Sequence, residues 1–302
     1  MSQRYLPAVL VLAAVWGASY MFIKVGDRDF EPPTLMALRL VIAFLPLFVY
    51  VAATRGGVRS AAREIASVWR EGLALGLLSA AVPFTLIAWG EKHIDSGVAG
   101  VVQASLPVFT ALLAIRFVPS ERPTGPRIIG IGLGLVGVGV LTGVDPGHGW
   151  LAVVGTLAVV LSSLSYAGGG LFGQSRTKTV PGPVLAAATT FYGALVLLPW
   201  GMAELPGHTP DWKPIAALLA LALGGTAFAQ VLLFHVLRLH GAAKVSLVTY
   251  LMPLFAVFYG ATILGEPLRW SALAGLALIL LGVALGSGVV AMRRRAELRT
   301  VP

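Results

Sequence analysis

The sequence predicts an all-α integral membrane protein of ten transmembrane helices, built as two inverted five-helix repeats around a central cavity. Three observations lead to this prediction: the composition, the spacing of the apolar runs and a long internal repeat. Hydrophobic residues make up 57% of the 302-residue chain, charged residues make up 12%, and the mean hydropathy is +0.85. A soluble chain with so little charge could not cover that much apolar surface.

Ten apolar runs have the length that crosses a bilayer, roughly 17–25 residues. They cover residues 5–25, 34–53, 72–90, 96–117, 127–143, 150–172, 183–202, 214–237, 242–264 and 270–292. Most connections are short and contain the charges, prolines and glycines that end helices. The longest connection, 54–71, favours a short amphipathic helix on the membrane surface. The first run follows a basic residue, as a secretory signal does, but it is long enough to span and we expect it to be retained.

One stretch occurs twice, once near the end of each half. SGVAGVVQASLPVFTALLAIRFVPSE at 96–121 and AAKVSLVTYLMPLFAVFYGATILGE at 242–266 each contain one central proline and end in glutamate. A shift of 146 positions places Pro107 on Pro253. A repeat with so long a period indicates a duplicated chain.

Lysine and arginine are distributed unevenly between the two sides. With a cytoplasmic N-terminus, sixteen of the 22 basic residues lie in inner connections and five in outer ones, while Arg39 lies within the second run. The positive-inside rule therefore predicts that both termini are cytoplasmic. Five spans per half is an odd number, so the second half must insert upside down, as in many secondary transporters. We expect one repeat at 1–145, an inverted repeat at 146–292 and a basic cytoplasmic tail at 293–302.

Features along the whole chain match one known family. They are Trp16-Gly17 and Lys24 in the first run, Arg39 early in the second, and, in each half, a proline-bearing run that ends in glutamate and precedes a glycine-bearing run. In this order they resemble the ten-helix EamA-type members of the drug/metabolite transporter superfamily. The resemblance implies a bacterial inner-membrane exporter or facilitator of small metabolites, with amino acid exporters among its members. The resemblance implies that the protein moves amino acids or related metabolites by alternating access, and it favours export.

The two repeated runs each present one face of small and polar residues. These faces carry Ser96, Gly100, Gln103 and Pro107 in one run, and Ala242, Ser246, Thr249 and Pro253 in the other. Each proline removes the helical hydrogen bond to the carbonyl four residues earlier, which belongs to Gln103 or Thr249. Such faces suit a water-filled cavity, so we expect these residues to bind substrate and the prolines to act as gating hinges. The alternative is that the prolines bend the helices for packing and the small residues are contact points.

Aromatic and polar residues in other runs are further candidates for the cavity. They are Trp16, Ser19, Tyr20, Phe84, Trp89, Ser162, Ser165, Tyr166, Gln230 and Tyr250. A shift of 150 places Trp16 on Tyr166, so an aromatic residue occupies matching positions in both halves. Aromatic rings suit an amphipathic or cationic solute. The alternative is a packing role or a place in the interfacial aromatic belt.

Four charged residues have two interpretations each. Lys24 and Arg39 could bind a substrate carboxylate, but snorkelling with a rim ion pair is the preferred interpretation. Glu121 and Glu266 end the repeated runs, and structural anchoring of their hairpins is preferred to a role in transport. Only the second glutamate keeps the Leu-Gly-Glu sequence that is common in the family.

Several functional classes are not supported. All thirteen acidic residues lie in connections or at span ends, which argues against strong proton coupling. Facilitated transport is therefore at least as well supported as proton-coupled transport. The GxGxxG match at 132–137 lies inside an apolar run without a βαβ unit, and neither a Walker A sequence nor metal-ligand spacing is present. We therefore predict no enzyme, no metal and no cofactor.

The expected partners are a small-molecule substrate and the lipid bilayer, with no nucleic acid, for a monomer or homodimer. The net charge of +9 comes from the inner connections and needs no nucleic acid to explain it. A flippase for a lipid-linked carrier is the closest alternative, and an intramembrane enzyme is less favoured.

Overall fold

Helices form nearly all of the structure. A computed structural model describes residues 5–117, 126–143, 149–176, 179–240, 245 and 247–286. No strand occurs in these ranges. Eight helical stretches are long and apolar enough to cross a membrane, and one of them, Ser96–Arg116, is interrupted by a turn at 104–105. Two further helices, Ile128–Val140 and Trp270–Leu285, are apolar but shorter. The chain is a multi-pass membrane protein.

Twelve helices follow one another through the described ranges. They are α1 Leu6–Gly26, α2 Pro32–Thr54, α3 Val58–Ser67, α4 Trp69–Glu91, α5 Ser96–Gln103, α6 Leu106–Phe117, α7 Pro126–Gly143, α8 Gly149–Arg176, α9 Gly182–Ala203, α10 Trp212–His240, α11 Leu247–Leu264 and α12 Trp270–Gly286. Three of these helices contain a π-helical segment: Leu77–Ala81 in α4, Ala220–Phe228 in α10 and Gly260–Leu264 in α11. Such segments shift the helical register and occur often at functional sites.

The short helix α3 confirms the amphipathic helix expected between the second and third runs. Ala61 and Ile65 lie four residues apart on its buried face, while Arg59 and Arg63 are exposed. This arrangement is that of a helix lying on a surface with its apolar side towards the rest of the protein.

Helix α9 packs closely against α2 and α4 because glycines bring the backbones together. A Cβ atom added at Gly201 would lie 2.8 Å from the Cβ of Ala37, and one added at Gly76 would lie 2.6 Å from the amide nitrogen of Gly193. Thr34 also donates a 2.8 Å hydrogen bond to the carbonyl of Gly201. Close approach through small residues is the usual way in which membrane helices associate.

Helices α7 and α12 form another tight pair. A Cβ atom at Gly137 would lie 2.9 Å from the carbonyl oxygen of Gly275, and one at Gly282 would lie 2.5 Å from that of Gly130. One glycine of the GxGxxG match, Gly137, therefore lies at a close approach of two helices.

Helices α1 and α8, the first and sixth predicted spans, each pack mainly against helices of the other half. Helix α1 packs against α10 and α11, and α8 packs against α4, α5 and α6. At the α1–α11 crossing, a Cβ atom added at Gly17 would lie 2.5 Å from the Cβ of Phe255. These two helices lie between the elements that carry the candidate functional residues.

The fourth predicted span is two helices rather than one. The break is at Ala104 and Ser105, whose amides bond to the carbonyls three residues earlier, at 3.0 Å each. Pro107 stands in the first turn of α6, where its missing N–H is not needed. Pro253, its counterpart, lies inside α11 without a break. One proline of the predicted pair therefore starts a new helix, while the helix continues through the other.

Candidate functional site

Arg39 is a buried cation inside the helical bundle. Its side chain lies on α2, the residue is 4% exposed, and its Nε donates a 2.9 Å hydrogen bond to Oγ1 of Thr226. One terminal nitrogen lies 3.8 Å from Sδ of Met36, and the guanidinium carbon lies 3.9 Å from the centroid of the Phe84 ring. No acidic residue in the described ranges forms an ion pair with it.

This position corrects the rim interpretation of Arg39. Snorkelling requires the charged head to reach the interface, whereas here the guanidinium is enclosed between α2, α4 and α10. An aromatic face and one hydroxyl take the place of a carboxylate partner.

The π-helical segment Ala220–Phe228 supplies the groups that position this cation. The Thr226 hydroxyl accepts from Arg39 and lies 3.2 Å from the carbonyl oxygen of Leu221, five residues earlier. The carbonyl of Gly225 accepts a 3.2 Å hydrogen bond from Nε1 of Trp16. The segment thus holds α2 through a side chain and α1 through its backbone.

Aromatic rings form the walls next to the guanidinium. The ring centroids of Phe84 and Tyr166 are 6.3 Å apart, and Trp16, Phe84 and Tyr166 are all partly exposed. Tyr20 lies deeper, at 5% exposure, with its hydroxyl 4.0 Å from Sδ of Met252. The arrangement offers a positive centre, polarisable rings and few competing polar groups.

A second polar contact joins α5 to α8. Ser162 donates a 3.0 Å hydrogen bond to Oε1 of Gln103, while Nε2 of Gln103 is buried and has no hydrogen-bond partner. One turn earlier, a Cβ atom at Gly100 would lie 2.3 Å from that of Ala256 and 3.4 Å from the Tyr20 ring. Gly100 is therefore at a helix contact, which is the packing alternative for that residue, whereas Gln103 has an unused amide donor.

Two predicted serines lie beside the π-helical segments. A Cβ atom at Gly225 would lie 2.7 Å from Oγ of Ser19, so Ser19 borders the Arg39 site. Ser165 donates a 2.9 Å hydrogen bond to the carbonyl of Leu78, in the π-helical segment of α4. Ser19 therefore lies near the cation, whereas Ser165 is bound to the backbone of the π-helical segment Leu77–Ala81.

Other predicted residues lie away from Arg39. Trp89 is 36% exposed on α4, which is the position of a belt residue. Thr249 and Tyr250 are half-buried on α11, and Ser246 is outside the described residues. Gln230 borders a separate cavity of about 360 Å³ between α2, α9 and α10, whose polar and aromatic lining also includes Tyr50, Phe234, His235 and Arg238.

Lys24 also departs from the predicted rim ion pair. Its Nζ donates hydrogen bonds to the carbonyl oxygens of Glu91 and Ile94, the latter at 2.8 Å. The last carbonyls of a helix have no partner within it and attract a cation. Rim ion pairs instead form between Lys92 and Glu31.

Glu266 anchors a helix of the other half rather than its own hairpin. Its Oε1 accepts from the amide of Ser96 at 2.8 Å, and its Oε2 accepts from the Ser96 hydroxyl at 2.9 Å and the amide of Gly97 at 3.0 Å. A carboxylate satisfies free N–H groups at a helix start and interacts well with the helix dipole. Glu121 is outside the described residues.

Comparison with known proteins identifies the family. The EamA-like transporter family matches residues 4–143 and, a second time, residues 153–288. The chain belongs to the EamA-like transporter family. A solved crystal structure superimposes with a TM-score of 0.67 at 21% identity, covering 95% of this chain and 97% of its own, which shows the shared fold.

Relatives of EamA type in other organisms are also transporters. An uncharacterized transporter of Archaeoglobus fulgidus is 26% identical over 89% of this chain and 93% of its own. A probable amino-acid metabolite efflux pump of Salmonella typhimurium is 26% identical over 95% of this chain and 96% of its own. An uncharacterized inner membrane transporter of Escherichia coli is 27% identical over 92% of this chain and 90% of its own. The family and these relatives are transporters and not enzymes.

Proposed function

We propose that this EamA protein exports small carboxylate-bearing solutes, amino acids or related metabolites, across the bacterial inner membrane by alternating access. The observation that carries the proposal is the buried, unpaired guanidinium of Arg39. Burying a charge without a counter-ion costs several kcal/mol, and an anion from solution removes that cost. Arginine suits a carboxylate because its planar fork can donate two parallel hydrogen bonds.

The geometry around Arg39 favours a solute that is both charged and apolar. Thr226 accepts from Nε, and one terminal nitrogen lies 3.8 Å from the weak acceptor Sδ of Met36, so the terminal nitrogens retain donors for a ligand. Phe84 lies against the guanidinium, and Tyr166 lies 6.3 Å from Phe84 between ring centroids; both are partly exposed and suit an apolar or aromatic side chain. We infer that the amide nitrogen of Gln103, which is unpaired among the described residues, provides a second polar contact. The name of the Salmonella relative, a probable amino-acid metabolite efflux pump, points to the same class of solute.

Two inverted repeats of five spans are the architecture that we infer for this movement. The family matches twice in tandem, and the packing of α1 on α10 and α11 parallels that of α8 on α4, α5 and α6. Helix α2 contacts α9, and α7 contacts α12. These are the second and seventh, and the fifth and tenth, predicted spans, so each span contacts its counterpart in the other half, as a twofold relation requires. Eight long helices and two shorter ones would give ten spans. Rocking of such halves about a central site is the usual route to alternating access.

Counterflow in proteoliposomes tests this function. Vesicles containing the purified protein are loaded with one unlabelled amino acid, and uptake of the same labelled amino acid is measured across a panel. Each amino acid is then challenged with its decarboxylated amine as a matched competitor. We expect at least one amino acid to exchange, and its amine to compete at least about tenfold more weakly. Equal competition by the amine would contradict carboxylate recognition, and a panel without exchange would contradict the solute class.

A further inference from the structure

A pair of buried carboxyl groups lies where the ends of two helices meet. Asp27 directly follows the last residue of α1, and Glu91 is the last residue of α4. Lys24, one turn before Asp27, donates to the backbone carbonyls of Glu91 and Ile94 and so holds the two helix ends together. Asp27 and Glu91 therefore belong to the same junction of helix ends.

Neither carboxyl group has a hydrogen-bond partner in the described part of the chain. All four carboxyl oxygens of Asp27 and Glu91 are inaccessible to solvent and unpaired, and Glu91 as a whole is 0% exposed. An ionised carboxylate in such a place is strongly unfavourable, and the group neutralises by taking up a proton. Burial raises the pKa of Asp27 to about 8, with Lys92 and Lys24 opposing the shift and Glu31 adding to it.

The surrounding charges are engaged elsewhere. The ammonium of Lys24 is directed at backbone carbonyls, and that of Lys92 forms an ion pair with Glu31. Glu91 also interacts electrostatically with Glu266 and with Arg39. Glu266 is occupied at the start of α5. The pair is thus left with nearby charges but no direct counter-ion.

We propose that Asp27 and Glu91 form a proton-binding site that couples solute movement to the proton gradient. This proposal rests on the transport function proposed above. Each carboxylate takes up one proton and becomes a neutral acid, so that the helix ends can move between environments without carrying a buried charge. Two carboxylates next to two ammonium groups do not suit a metal cation, which needs several oxygen ligands. Helix α4 connects this pair to the proposed solute site, because it carries both Glu91 and Phe84, whose ring lies 3.9 Å from the Arg39 guanidinium carbon.

Infrared titration tests proton binding without any solute. The protonated-carboxyl band of the reconstituted full-length protein is followed as pH rises, in the unaltered protein and in Asp27→Asn, Glu91→Gln and the control Glu64→Gln. Glu64 is matched in type but lies on the surface helix α3 in an ion pair with Arg55. We expect band loss as pH rises through about 8, the pKa of Asp27. Asp27→Asn and Glu91→Gln should each reduce the amplitude of the protonated-carboxyl band, and Glu64→Gln should not. An unchanged band in both site variants would overturn the proposal.

A transport assay then tests coupling. The labelled amino acid with the highest counterflow rate is measured under an imposed pH gradient of each orientation, with an entrapped pH dye reporting proton movement. We expect accumulation under one orientation, and a ratio of accumulation to counterflow that falls at least about tenfold in Asp27→Asn and Glu91→Gln. Counterflow without gradient-driven accumulation in the unaltered protein would overturn the coupling while leaving the transport function intact. Absence of counterflow would instead contradict the transport function, and the infrared titration would still decide whether the pair binds protons.

Discussion

Nε of Arg39 lies 2.9 Å from the hydroxyl oxygen of Thr226, which connects α2 to the π-helical segment of α10. Both residues are buried at 4% exposure. The hydrogen bond orients the guanidinium against the Phe84 ring, while one terminal nitrogen lies 3.8 Å from Sδ of Met36. A single hydroxyl therefore determines how the cation is presented.

Thr226→Val should weaken solute binding, because it removes the acceptor while keeping nearly the same shape. A buried donor left without its partner costs about 1–3 kcal/mol. The KM of the exchanged amino acid in counterflow should therefore rise by about 5- to 150-fold. Thr226→Ser retains the hydroxyl and should stay close to the unaltered protein. Equal KM values for the two variants would show that the hydrogen bond does not position Arg39.

Glu266→Gln should lower the thermal stability of the protein. The substitution keeps the shape of the side chain but removes the charge that three donors at the start of α5 share. Charge-assisted hydrogen bonds contribute about 1.5–3 kcal/mol each, so a measurable fall in the unfolding temperature is expected in detergent. Glu64→Gln removes an exposed ion pair worth about 0–1 kcal/mol and serves as the control. Similar unfolding temperatures for both variants would argue against an anchoring role.

Gly137→Ala should destabilise the α7–α12 pair, whereas Gly132→Ala on the same helix should not. A Cβ atom at Gly137 would lie 2.9 Å from the backbone oxygen of Gly275, while nothing lies within 4 Å of one at Gly132. Overpacking costs about 1–3 kcal/mol, and alanine in an open helical position gains up to about 1 kcal/mol over glycine. Unfolding temperatures of the two variants should move in opposite directions. A rise for both would mean that the helices do not pack this closely.

The stability of the protein should fall as pH rises between about 4 and 8, in part because of Asp27. Burial raises the pKa of this group from 3.8 to about 8. The folded state then binds the proton more tightly than the unfolded state, so the stabilisation is complete below pH 3.8 and is lost as pH rises towards 8. One such group contributes a slope of at most about 1.4 kcal/mol per pH unit.

Asp27→Asn should flatten this dependence, because asparagine does not titrate. Unfolding temperatures measured from pH 5 to pH 8.5 in one buffer series provide the comparison. Asp211→Asn, at an exposed helix start without a side-chain capping bond, is the matched control and should retain the slope. Parallel curves for the unaltered protein and Asp27→Asn would contradict the raised pKa.

Helical content and membrane-spanning runs followed from composition and hydropathy, because these depend on the average character of long runs. The family followed from the resemblance of motifs in their order along the chain. The surface helix α3 followed from its amphipathic pattern. The break at Ala104 and Ser105 did not follow, because a helix end within an apolar run depends on local hydrogen bonding rather than on hydropathy. The π-helical segments have no simple sequence pattern for the same reason.

The candidate site was only partly readable from sequence. Trp16, Tyr20, Phe84 and Tyr166 were candidates as aromatic residues within their runs. Phe84 lies against the cation, Tyr166 neighbours Phe84, and Trp16 bonds to the carbonyl of Gly225 beside Thr226. Arg39 was assigned to the rim because it lies early in its span, although a charge between apolar neighbours is itself a sign of function.

Three further features depended on tertiary structure. Thr226 and the Gly225 carbonyl were missed, since the π-helical segment alone directs them inward. The only sequence signal for them was the Gly-Gly-Thr interruption of an apolar run. The burial of Glu91 at a span end was also missed, because position along a helix does not reveal what packs around its end.

Counterflow with Arg39 variants tests the central claim most directly. Arg39→Met keeps the length and apolar packing of the side chain but removes the charge, and Arg39→Lys keeps a charge without the planar fork. We expect Arg39→Met to lower exchange of the amino acid at least about tenfold and to abolish the preference over its decarboxylated amine, with Arg39→Lys intermediate. Both proteins must elute as folded monodisperse species. Unchanged exchange and unchanged preference in folded Arg39→Met would contradict carboxylate recognition by this residue.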